Sequence, residues 1–246
     1  MAETTSLAFI FFVVAALYAA VGQAGASGYL AAMGLYGIAP AIMKPTALAL
    51  NVLVAAIGTF QFWRMGLFSW RTFYPFAILG FPFSLIGGAM QLPANIYHPL
   101  VGTILLLSAF QLLRSAQKLE NETRPSNEPP FLPALITGAG IGLVSGVTGT
   151  GGGIFLAPII LEMNWVDLRR TTCVTAAYNL LNSAAALAGT YTALGTLPPA
   201  LPLWLIAVGF GGLVGAVVGS RYLPDTAVRR LLAIVLLVSG AKLIVM

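Results

Sequence analysis

Residues 145–153 read SGVTGTGGG, which sets the hydroxyls of Thr148 and Thr150 among Gly149, Gly151, Gly152 and Gly153. Glycine inside a helix costs roughly 1 kcal/mol relative to alanine, so a run this dense marks a break in any helix containing it. The turn leaves backbone N–H groups open to a ligand, and a helix starting near Gly153 aims the positive end of its dipole at the break. N–H groups, hydroxyls and a helix start together suit an anion, as at known phosphate and carboxylate sites. A fainter version, GQAGASG at 22–28, offers Gln23, Gly25, Ser27 and Gly28. Asn51 and Asn182 add amides in the apolar stretches downstream of each run.

Other chemistry is thinly served. The seven acids are Glu3, Glu120, Glu122, Glu128, Glu162, Asp167 and Asp225, all in loops or at the ends of apolar segments. A proton relay normally leaves a carboxylate or histidine within the membrane, and Glu162 is the one weak candidate for coupling. One histidine (His98) and one cysteine (Cys173) exclude a histidine-cluster metal site and an internal disulfide. GTGGGI lacks the last glycine of a dinucleotide fingerprint, and no P-loop or nucleophile–base pair is present. The sequence therefore predicts no enzyme, no cofactor and no bound metal.

The elements carrying these residues are built for lipid. Of 246 residues 59% are hydrophobic and only 8% charged, with a mean hydropathy of +0.92. A soluble domain carries about 25% charged residues, so the chain is expected to be a multi-pass protein of the plasma membrane. Its net charge of +5 reads as an orientation signal and not as a nucleic-acid footprint. The stretch Leu7–Val21 follows Glu3 and no basic residue, which argues against a signal peptide.

A repeat organises the chain. LNVLVAAIGT at 50–59 matches LNSAAALAGT at 181–190, and the spacing of 131 also pairs Gly80 with Gly211, Gly88 with Gly219 and Ser108 with Ser239. At a spacing of 124, Gly22, Gly25 and Gly28 meet Gly146, Gly149 and Gly152. The expected units are 1–114 and 131–246, joined by a polar cytoplasmic linker at 115–130. Arg64 and Arg71 flank one connection of the first half, whereas the equivalent connection at 192–202 is uncharged. The next connection reverses this, with Arg221, Arg229 and Arg230 in the second half only. The positive-inside rule then makes the repeats inverted, with both termini outside and Lys44 as a dissenting outer charge.

The expected fold is all-α, with 8–10 helical segments. Each half holds three spanning helices (43–64, 72–91, 94–114 and 171–192, 200–221, 225–245) and a hairpin of two short helices around the glycine run. Arms of about thirteen residues reach about 20 Å, which sets the tips near mid-bilayer. The candidate ligand residues are Gln23, Gly25, Ser27, Gly28, Asn51, Thr148, Gly149, Thr150, Gly151, Gly152, Gly153 and Asn182. Against this, Gly142–Gly146 and Gly211–Gly215 read as helix-packing pairs, and Asn51 and Asn182 read equally as interhelical glue. Asn179 reads as packing, and Tyr191 and Trp204 as interface anchors.

GLVSGVTGTGGGIFLAPIILEMNW (142–165), echoed in the first half, resembles the TauE/SafE family of sulfite and organosulfonate exporters. The resemblance covers essentially the whole chain. It implies a facilitator or secondary carrier for sulfur oxyanions or small sulfonates in a bacterial or archaeal cytoplasmic membrane. Gly149, Gly151, Gly152 and Gly153 match the family motif, whereas Ala26 and Ser27 stand where the family often has more glycine. The partners implied are a small anion and the bilayer, and a homo-oligomer stays open. The alternative is a non-transporting scaffold or assembly factor whose glycines only pack helices.

Overall fold

The computed structural model describes residues 2–20, 23–118, 128–166, 168–194, 197–216 and 225–245, and these are helical apart from short connections. In chain order the helices are α1 (Ala2–Ala20), α2 (Ala26–Leu35), α3 (Pro40–Arg64), α4 (Trp70–Ala89), α5 (Ala94–Lys118), α6 (Phe131–Thr148), α7 (Gly153–Glu162), α8 (Leu168–Leu194), α9 (Leu201–Val214) and α10 (Asp225–Val245). Among them α3, α4, α5 and α6 are long and apolar enough to cross a membrane. The surface, unlike that of a soluble protein, is largely apolar, over an interior that joins apolar cores to a set of polar side chains. Phe9, Phe60, Trp63, Ile136, Ile206 and Phe210 are exposed, while Lys44, Asn51, Ser84, Ser145, Asn182, Ser183 and Thr190 are buried. Only lipid makes that distribution favourable.

The contacting helix pairs come in matching sets. α6 lies along α4 as α1 lies along α9, α7 meets α5 as α2 meets α10, and α3–α8 and α5–α10 contacts join the two halves. Glycine makes the closest of these contacts. A Cβ on Gly142 would stand 2.5 Å from the Gly80 carbonyl oxygen, and one on Gly138 or Gly146 would overlap the backbone of Phe76 or Ser84. Spaced by four, these glycines form a ridge that lets α6 and α4 touch backbone to backbone. Gly211 and Gly215 do the same against Phe12 and Ala16 of α1.

This ridge carries α6 further than expected. α6 has 18 residues and continues through Ser145–Thr148, where a break after residue 144 was expected. Packing on α4 offsets the helix cost of Gly138, Gly142 and Gly146. Only the second arms, α2 and α7 at 10 residues each, are short. α5 likewise runs on to Lys118, into the stretch expected to be linker.

The ends of the short helices also correct the register of the glycine runs. Gly25 and Gly152 are the left-handed N-caps of α2 and α7, at φ 95° and 85°. Gly37 and Asn164 are the left-handed residues beyond their C-termini, at φ 69° and 52°. Ile38 and Trp165 then donate back to Met33 and Ile160 in the same way. These pairs share a spacing of 127, so Gly25 corresponds to Gly152 and not to Gly149. Gly22, Asp167, Arg221 and the connection after α9 lie outside the described residues.

Two further expectations change. Trp204 is buried, with its indole N–H donating to the Thr4 carbonyl at 3.1 Å and its ring edge-on to Phe11, so it is core and not an interface anchor. Lys44 is not a stray charge at a segment end. It is buried within α3, and its ammonium donates to the carbonyls of Gly87, Gly88 and Met90.

Candidate functional site

A cavity of about 50 Å³ lies where the two short helices begin. One water needs roughly 10–15 Å³ by the same measure, so the space holds a few waters or one small polyatomic ion. Gln23, Gly25, Ala26 and Ser27 border it from the first half, and Thr150, Gly153 and Ile154 from the second. From there it runs along Val54, Gly58, Gln61 and Phe62 of α3, with Thr175, Ala176 and Asn179 of α8 and Gly212 of α9 opposite. Its far end thus lies towards the C-terminus of α3, whose last two residues are Trp63 and Arg64. None of the described lining residues is charged.

Both helix starts are built without a side-chain cap of their own. The first-turn N–H groups of a helix have no acceptor within it. In α2 one of them, that of Ala26, is taken by Asn51 Oδ1 from α3 at 2.9 Å. Asn51 Nδ2 donates to Asn179 Oδ1 at 2.9 Å and to Ser183 Oγ at 2.7 Å, which ties α3 to α8 at the same level. Gly151, at φ 77°, presses its backbone on this trio, since a Cβ there would overlap Asn51 Nδ2 and Asn179 Oδ1.

Tyrosines hold the turns in place. Tyr29 donates to the Ala24 carbonyl at 3.1 Å, Tyr97 of α5 donates to the Thr148 carbonyl at 2.9 Å, and the Tyr18 and Ser27 hydroxyls pair at 2.9 Å. The Thr148 and Thr150 hydroxyls pair at 3.1 Å, with Thr148 also donating to the Val144 carbonyl.

The candidate residues therefore divide. Gln23, Gly25, Ser27, Thr150 and Gly153 border the cavity. Asn51, Gly151 and Gly152 shape its wall from behind, Gly152 by capping α7. Gly28 packs on Val14 and Tyr18 of α1, and Gly149 packs on the Lys44 stem. Thr148 faces α5 through its carbonyl, and Asn182 is buried with neither amide atom hydrogen-bonded among the described residues. Glu162 is exposed at the distal end of α7 and does not border the cavity.

Tyr18, Gln61, Thr175 and Asn179 also border the cavity, although sequence reasoning had not selected them. Asn179 and Ser183 are four residues apart on α8 and share a face, which is the signal that could have found them. At a spacing of 131 their counterparts are Leu48 and Val52, so a search for repeated polar residues passes over both.

A family model described as "Sulfite exporter TauE/SafE" matches residues 7–243. Among relatives, "Probable membrane transporter protein y4hK" of Sinorhizobium fredii (strain NBRC 101917 / NGR234) is 56% identical over 243 residues, covering 98% of each chain. No solved structure gives a significant match.

Proposed function

The chain belongs to the TauE/SafE sulfite exporter family and is a multi-pass membrane transporter, and from that premise we propose that it carries small sulfur oxyanions or sulfonates. The anion rests between the starts of α2 and α7. The observation that carries this reading is that both helix starts border one uncharged cavity. Two positive dipole ends and first-turn N–H groups there favour an anion, and none of the described lining residues is a carboxylate. Without a fixed charge at the cavity, binding is modest and reversible, as a carrier needs.

The test is a thermal-shift series of purified protein with sulfite, sulfate, thiosulfate, sulfoacetate and taurine. An oxyanion or sulfonate raises the unfolding midpoint by mass action. Thr150→Val, nearly isosteric, weakens that binding by about 1 kcal/mol for a neutral hydrogen bond, and by up to about 3 kcal/mol for a charge-assisted one. Unchanged affinity in Thr150→Val combined with Ser27→Ala would move the site elsewhere.

The two halves work as inverted repeats, with the linker in the cytoplasm and both termini outside. Arg64, at the end of α3, and Arg71, at the start of α4, lie near one connection, and Arg71 pairs with Glu128 at the end of the linker at 3.5 Å. This supports one basic face shared by linker and connection, and the cavity runs towards it. Cysteines placed in the linker escape a membrane-impermeant maleimide in intact cells. Labelling without permeabilisation reverses the orientation.

A further inference from the structure

Lys44 is a buried cation without an anionic partner among the described residues. Only 3% of its surface is exposed, and the ion pair found among the described residues, Arg71–Glu128, does not involve it. Buried charges are ordinarily paired. This ammonium instead rests on three carbonyls at the C-terminus of α4, those of Gly87 (3.0 Å), Gly88 (2.8 Å) and Met90 (2.9 Å). Carbonyls at a helix C-terminus carry partial negative charge and keep lone pairs outside the helix ladder, so they hold a cation without neutralising it, although that of Gly87 also accepts from the Met90 N–H. The stem of the side chain lies against Gly149, 3.3 Å from where a Cβ would be, immediately before cavity-lining Thr150.

The same α4 terminus closes one face of the molecule. Gly88 meets the Ala186 backbone and Gly189 meets that of Leu85, so α4 and α8 touch without intervening side chains. Thr190 adds a bond to the Gly88 carbonyl at 3.0 Å, and Ser84 one to that of Asn182 at 2.8 Å. At a spacing of 131 the counterpart of Gly189 is Gly58, which has nothing within 4 Å of its Cβ position and borders the cavity. The two faces are thus in opposite states, zipped between α4 and α8 and open between α3 and α9. The same spacing pairs Lys44 with Thr175, which lines the cavity.

We propose that Lys44 is the fixed charge of the anion site when the molecule opens on the α4–α8 face, and that in the present state it is held in reserve on the α4 carbonyls. The proposal rests on the anion reading above. When the halves exchange conformations, Lys44 takes the place that Thr175 now has. Lys44 is carried by α3, which packs on α8, so movement of α4 away from that pair strips the ammonium of three acceptors, and a bound anion replaces them. Opening of this face is therefore coupled to the presence of the anion, and anion affinity on that face exceeds that of the uncharged cavity.

The test uses a thiol reporter at Ala185, buried now and the counterpart of cavity-lining Val54. In full-length protein carrying Cys173→Ala and Ala185→Cys, maleimide labelling is timed with and without sulfoacetate, with chloride as control. Sulfoacetate is expected to speed labelling about tenfold in this parent and to do so in Lys44→Arg. In Lys44→Gln, whose neutral amide still donates to carbonyls, the acceleration disappears while the sulfoacetate thermal shift remains. Persistence of the acceleration in Lys44→Gln overturns the assignment. So does its loss in Lys44→Arg, which is informative even where Lys44→Gln folds poorly. A parent that shows the thermal shift but no acceleration removes the role of Lys44 alone. A parent that shows no thermal shift with sulfoacetate or sulfite removes the anion reading with it.

Discussion

Gly151→Val is expected to abolish sulfite flux in reconstituted vesicles, and Gly151→Ala to come close to it. Gly151 sits at φ 77°, which costs an L-residue about 1–2 kcal/mol and a β-branched one more. Space is the harder limit. The first side-chain carbon would fall onto Asn51 Nδ2 and Asn179 Oδ1 and 2.7 Å from Ser183 Oγ, the atoms whose hydrogen bonds join α3 to α8. Relief requires parting those helices or moving the turn, and either shifts Thr150 and the start of α7 by more than a hydrogen bond tolerates. Gly140 on α6 has nothing within 4 Å of its Cβ position, so Gly140→Val is a matched control that keeps its flux. Flux in Gly151→Val equal to that of the control would mean that the turn does not form the site.

The contrast between these two glycines marks how far the sequence can be read. Apolar length and sparse charge announce a helical membrane protein because lipid permits nothing else, and the density of GTGGG announces a break. What composition could not reveal was which glycines turn the chain and which let helices touch. Gly146 and Gly149 are three residues apart in one run, yet Gly146 belongs to the ridge against Ser84 and Gly149 ends the helix. That division depends on the presence of α4 alongside, a contact distant in sequence. Lys44 was misplaced for a similar reason. Read along the chain it is a charge near a helix start, and only the fold brings the carbonyls of Gly87, Gly88 and Met90 to it. Asn179 and Ser183 on α8 were hidden because their first-half counterparts, Leu48 and Val52, are apolar, so the repeat that pointed to Asn51 and Asn182 concealed them.

The matched asparagines should behave unlike one another. Asn51→Leu, close in volume, leaves the Ala26 N–H, Asn179 Oδ1 and Ser183 Oγ without their partner inside the protein. An abandoned buried group costs about 1–3 kcal/mol, so the variant is expected to lose on the order of 3 kcal/mol or more and several degrees in its thermal unfolding midpoint. Asn182→Leu removes two buried amide atoms that make no hydrogen bond among the described residues and is expected to unfold at or above the parent temperature. Stability and transport then separate. If the halves exchange conformations, the other state needs Asn182 at the start of α7 as this one needs Asn51 at the start of α2. Asn182→Leu should therefore be a well-folded protein that still binds anion in the thermal assay but cycles at least tenfold more slowly in vesicle flux. An idle amide explains itself only through a state in which it works. Normal flux in Asn182→Leu would leave that amide as a buried defect and argue against exchange between the halves.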